Sequence, residues 1–183
     1  MHERVFRGFE GFSVDGGVMV VSGCGSTLAI TRSEVMDFKN TPDPDIVFVI
    51  ENKTFIDMPP PGFFSDVNKI VIDPFDGIAK AINIVFKDKR ISIYPLQEFK
   101  EDVYTQKNSR IVLISPQEFN TYKPIGLSYR CKFSADVAID GNKHNVEAVA
   151  STGIVFTDIR KRHVTYLMDK VFLDFAKKLK EKL

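Results

Sequence analysis

The chain has no tryptophan, only two cysteines and only three histidines in 183 residues. Each shortage narrows its chemistry. Cys24 and Cys131 are too few for a disulfide framework or a cysteine zinc site. Cys131 falls in a strongly alternating segment and reads as a small buried apolar residue. His2, His144 and His163 show no metal-ligand spacing such as H-E-x-x-H, so neither a metal nor a cofactor is expected. No apolar run reaches the roughly 18 residues that a membrane-crossing helix needs. An excess of one charge is missing too: 25 Lys and Arg face 24 Asp and Glu, a net charge of +1. That gives no general pull toward nucleic acid. Basic charge gathers only in residues 160–183, with eight Lys and Arg against three Asp and Glu. What is present is globular: 44% apolar residues and 16 Phe, enough for one domain plus a leader or arm.

The run Val21-Ser22-Gly23-Cys24-Gly25-Ser26-Thr27 stands out. A bacterial lipoprotein leader needs a basic start, an apolar stretch and a small-residue site ending in Cys. Val21, Ser22, Gly23 and Cys24 resemble that box. Small side chains sit beside the scissile bond, and the thiol takes the diacylglyceryl group. Arg4 and Arg7 supply basic charge. Glu3, Glu10 and Asp15 depart from the pattern, and the clean apolar run is only residues 18–21. The expected organisation is a leader over 1–23, a tether over 24–45 and one domain over 46–183, with lipid attachment at Cys24. Three other readings compete. Residues 18–21 can be a buried strand with Gly23-Cys24-Gly25 as its turn. The Gly-rich loop can open a helix over 28–39 and cradle a phosphate, although no Gly-Lys-Ser/Thr follows. Cys24 can be a nucleophile paired with His144 or His163, although nothing in the sequence brings them together.

Residues 37–45 read as a linker, because two prolines in three residues favour extended chain. Residues 46–50 and 110–114 are short continuous apolar runs, the signature of strands buried on both faces. Met58-Pro59-Pro60-Pro61-Gly62 reads as a stiff connector. Residues 69–72 and 91–94 are short strands. Asp73-Pro74 is a helix start, and Phe75, Ile78, Ile82 and Val85 follow at helical spacing. Gly77 weakens that helix by roughly 1 kcal/mol relative to Ala. Residues 97–109 read as a mobile loop.

The strongest pattern is strict alternation at Leu127, Tyr129, Cys131, Phe133, Ala135, Val137 and Ile139: a strand with one core face and one wet or partner-covered face. Asp140-Gly141-Asn142-Lys143 is a hairpin turn. The small residues Val146, Ala148 and Ala150 on the return strand leave room for a helix. That helix follows, with a stripe of Val164, Leu167, Met168, Val171, Phe172, Phe175, Ala176 and Leu179. The lysines at its end suit the helix dipole, with contact to anionic lipid headgroups as the sharper alternative.

The order of elements predicts an α+β fold: a single four- to five-stranded mixed or antiparallel sheet with two helices packed on one face. The stretch Ser134-Ala135-Asp136-Val137-Ala138-Ile139, then Gly141-Asn142-Lys143 and the terminal helix, resembles small outer-membrane lipoproteins of the YajG type. More loosely, it is similar to auxiliary lipoproteins of ABC transporters. The resemblance implies a non-enzymatic envelope protein, tethered by Cys24 and working as a binding or scaffolding component beside an envelope partner or transport complex. Gly25 is not the Asp associated with inner-membrane retention, so the resemblance implies the outer membrane, facing the periplasm. The alternative is a cytosolic interaction or ligand-binding domain in which residues 1–27 belong to the fold. Asp57, Asp66, Asp73 and Asp76 fall on loops and caps and form no visible catalytic group.

Overall fold

The computed structural model describes residues 13–14, 17–21, 26–30, 41–58, 69–100, 109–123, 128–153 and 161–183. Among them ten strands form two five-stranded sheets, accompanied by two α-helices. This corrects the expected single sheet: the fold is α+β, but it is built on two. Sheet 1 contains β1 (Ser13–Val14), β2 (Gly17–Val21), β3 (Ser26–Ile30), β6 (Lys69–Ile72) and β5 (Phe55–Asp57), in that order. Sheet 2 has the order β10 (Asn142–Ser151), β9 (Arg130–Ile139), β8 (Arg110–Tyr122), β4 (Ile46–Ile50) and β7 (Ile91–Pro95).

The physical reason for the difference is strand partnership. Residues 69–72 alternate between buried and half-buried, which marks a strand but names no neighbour. Their partner is β3, joined in parallel with Thr27 opposite Lys69 and Ile30 opposite Ile72. Ser26–Ile30 therefore forms a strand inside the segment expected as tether, and Leu28 is a core residue.

Sheet 2 follows local pattern more closely. β4 lies between β7 and β8 and is parallel to both. The β8–β9–β10 meander is antiparallel. Its second turn is Asp140-Gly141, with φ of 51° and 82°, the left-handed values that a two-residue hairpin turn needs. β8 is 13 residues long, much longer than the expected run over 110–114. Pro116 hid the continuation. A proline is tolerated there because β4 pairs with β8 only from Arg110 to Ile114, and the ladder to β9 shifts register between Pro116 and Glu118.

Helix α1 (Phe75–Val85) and helix α2 (Lys161–Lys180) pack against each other, α2 over β9 and β10 and α1 beside β7. The Asp73 carboxylate accepts the Phe75 N–H at 3.0 Å, which caps α1 as the sequence expected. The whole expected α2 stripe is buried. Phe133 of β9 meets Phe172 and Phe175 edge-on, each with 5.1 Å between ring centroids. Gly77 is where the two helices touch, and a Cβ added there would overlap the Phe172 ring. The weak helix former is thus the close-approach point. One continuous core joins Leu28, Ile70 and Ile72 of sheet 1 to sheet 2 and both helices.

The basic end of α2 is partly spent on the fold. Lys178 Nζ donates to the Glu147 carbonyl at 2.9 Å, and Lys180 Nζ donates to the Val85 carbonyl at 3.1 Å.

Candidate functional site

The face of sheet 2 turned away from the helices carries a cavity of about 710 Å³. Volumes of 300–1,000 Å³ are usual for small-molecule sites. Its apolar lining is Val49, Leu96, Phe99, Ile111, Leu113 and Ala138. The strands dictate this lining. In β4 and β8 the residues alternate with the core-facing Phe48, Val112 and Ile114, so Val49, Ile111 and Leu113 point the other way. The continuous apolar runs were the sequence signal: they marked strands with two apolar faces, and the structure puts this cavity on the second one. Leu96 and Phe99 come from the short 3-10 turn after β7 and the residue that follows it. Leu96 is substantially exposed, and the Phe99 ring tilts against Tyr94 at 6.4 Å.

The polar lining lies near the β9–β10 turn. Arg110 Nε stands 3.1 Å from Asp140 Oδ2, and an Arg110 guanidinium nitrogen donates to the Leu183 main-chain oxygen at 2.7 Å. Ser109 Oγ donates to the Pro44 carbonyl at 2.7 Å. Asp140 and Ser109 are therefore engaged within the protein. The site offers apolar burial with one ion pair beside it, which suits holding an apolar or amphipathic molecule. The sequence reading missed Arg110 and Asp140, because their pairing depends on β8 and β9 lying side by side.

A second polar cluster joins the two sheets. Asp57, on β5, is 9% exposed. Its Oδ2 accepts the Thr121 N–H at 2.9 Å and the Thr121 hydroxyl at 2.5 Å. Thr121 lies where β8 has outrun β4, so the carboxylate takes the place of the missing strand neighbour. Burial holds the Asp57 carboxyl above the ordinary aspartate range, partly offset by the two Thr121 bonds. Cys131 faces Thr121 across the ladder and is fully buried; burial, then the Asp57 charge, raises its thiol far above the usual range. Such a thiol stays protonated and is a poor nucleophile. No local pattern in the sequence distinguished Asp57 from the other aspartates.

On the open face of the meander, Lys132 Nζ lies 3.0 Å from Glu118 Oε2 and 3.0 Å from Glu147 Oε2, bridging three strands. Hydrogen bonds to Glu147, then Glu118, raise the Lys132 ammonium above its ordinary value.

Of the lipid-attachment residues, Ser22, Gly23 and Cys24 lie outside the described residues. Val21 ends β2 and pairs with Ser26. His144 sits on β10 opposite Val137; His2, Asp66 and the His163 side chain lie outside the described parts, as do residues 59–68 with the proline run. No group of three His, Cys, Asp or Glu among the described residues is arranged to hold a metal ion. No described helix is long and apolar enough to cross a membrane.

No family model and no curated protein matches the chain. Solved structures similar to it include two crystal structures. One is a crystal structure of a Xanthomonas campestris protein described by family model DUF330, at 10% identity and a TM-score of 0.42, covering 76% of this chain and 86% of that one. The other is a crystal structure of an uncharacterized protein, at 10% identity and a TM-score of 0.44, covering 78% of this chain and 95% of that one. At these values they assign no function.

Proposed function

We propose that this chain is a non-enzymatic binding component of the bacterial cell envelope, tethered through Cys24 to the outer membrane and facing the periplasm. It holds an apolar or amphipathic ligand on the open face of sheet 2 and works beside a protein partner of an envelope transport complex. The observation that carries the binding role is the cavity over β4, β8 and β9, with its apolar lining and the Arg110–Asp140 pair beside it. The tether rests on the Val21-Ser22-Gly23-Cys24 box.

A second reading has one observation in its favour. Gly17–Val21 is a strand paired with Ser26–Ile30, with Met19 opposite Leu28. Cleavage before Cys24 would strip β3 of that neighbour. In this reading the chain is a cytosolic binding domain that keeps residues 1–27.

One experiment separates the two. Cells expressing the wild type or Cys24→Ala are fractionated, and the mature N-terminus is weighed by mass spectrometry. The anchored reading requires a diacylglyceryl Cys24 at the N-terminus and a shift of the variant to the soluble fraction. An unmodified Cys24 behind an intact residue 1–23 segment would sink it and leave the second reading. Leu113→Trp fills the cavity and tests ligand binding separately: lipid co-purifying with the wild type should be lost while the melting temperature holds.

A further inference from the structure

Across β3, β6 and β5, one face of sheet 1 lies in the core; on the other, Thr27, Ala29, Lys69 and Val71 are half-buried and Ile56 and Met58 are exposed. Register decides which residues share each face. Leu28, Ile70 and Asp57 stand in one row and are buried. The neighbouring rows, on the other face, hold Thr27 with Lys69, and Ala29 with Val71 and Ile56. Met58 follows Asp57 just past the end of β5, at the end of the sheet where Lys69 begins β6. Ile56 is 63% exposed and Met58 is 74% exposed, the two most exposed large apolar side chains among the described residues. Neither contributes to the core. An exposed apolar patch with a cation beside it is what an interfacial surface presents to a bilayer: apolar atoms enter the headgroup boundary while a lysine stem lies along it with its charge outward.

Chain length supplies the second argument. β3 begins at Ser26, two residues after Cys24. Two residues span at most about 7 Å. Met58 lies two strands across from Thr27, roughly 10 Å at the usual strand spacing. An acyl group on Cys24 therefore leaves no tether: it holds the Thr27–Lys69–Met58 end of sheet 1 at the membrane surface.

We infer that the β5 edge of sheet 1, with Ile56 and Met58 as its apolar contacts and Lys69 on the neighbouring strand, docks on the lipid bilayer when Cys24 is acylated. This rests on the anchored reading. Docking fixes the orientation of the domain as well as its attachment, so the cavity of sheet 2 is presented at a set angle to the membrane.

The test uses the full chain, processed in cells, purified and reconstituted into vesicles of phosphatidylethanolamine and phosphatidylglycerol. Met58→Cys, Ile56→Cys, Ile84→Cys and Val149→Cys variants each carry one nitroxide label. Cys131 is fully buried and the Cys24 thiol is consumed as a thioether, so labelling falls on the introduced cysteine. Collisions with lipid-soluble oxygen should exceed those with an aqueous nickel complex several-fold at positions 56 and 58. The order should reverse at Ile84, on α1, and at Val149, on sheet 2. Equal behaviour at all four positions, on a chain whose acylated Cys24 is confirmed by mass spectrometry, overturns docking and leaves the anchor intact. Shielding of 56 and 58 in cells but not in vesicles assigns the edge to a protein and also overturns docking. An unacylated, soluble chain overturns docking together with the anchored reading.

Discussion

Sheet 2 and sheet 1 reach the same core by different routes. In sheet 2 the long strands β8, β9 and β10 are consecutive, joined by a hairpin turn at Asp140-Gly141, and covered by a helix that follows directly. In sheet 1 the strands are two to five residues long and come from separate stretches of chain, with β3 and β6 about forty positions apart yet side by side. Short strands with distant partners gain little from local order and depend on the shared core for stability. The Asp57–Thr121 bonds add a polar link between the two.

The largest test of this contrast is in sheet 2. Phe133→Ala removes a ring stacked edge-on against two others and should cost about 3–5 kcal/mol in chemical denaturation. Ile70→Ala in sheet 1 should cost about 2–5 kcal/mol, in the same single transition, because Ile70 is fully buried in the common core. A separate early transition for sheet 1 would break the picture of one core. Gly77→Ala sharpens it at the helix contact. Helix propensity alone favours the alanine, whereas the clash with Phe172 should make it destabilising by about 1–3 kcal/mol.

The link between the sheets is tested through pH. The folded Asp57 carboxyl binds its proton more tightly than the unfolded one. Protonation therefore favours the fold, and the wild type loses this contribution as pH rises from the ordinary aspartate value through the raised folded value. Asp57→Asn keeps an oxygen acceptor for Thr121 and carries no charge, so its melting temperature relative to the wild type should climb over that window and then level off. A flat difference would remove the buried carboxylate from the account. The smallest effect belongs to Lys132→Ala on the open face of the meander: a change in melting temperature below all of the above, shrinking further at high salt.

The same contrast explains what the sequence could show. The alternation from Tyr129 to Ile139, the Asp140-Gly141 turn and the α2 stripe were legible, because period and turn chemistry are local. The cap at Asp73 was legible for the same reason. Pairing of β3 with β6 was not, since nothing in Ser26–Ile30 names Lys69–Ile72. Half of the candidate site was visible as the doubly apolar runs at 46–50 and 110–114. Arg110 beside Asp140, and Asp57 beneath Thr121, depend on tertiary placement. Gly77 was legible as a weak point of a helix but not as the contact point of two.

Lys178 reaches from α2 to the Glu147 carbonyl on β10, the outermost strand of sheet 2. Ten consecutive residues at a sheet edge that no other described strand pairs with form a template on which another extended chain can add itself. The lysine occupies one docking point of that template and lays a positive charge across it. The same bond that ties α2 to β10 thus also guards the edge: a charge-removing change at Lys178 should make the chain more prone to self-association at high concentration, read by light scattering.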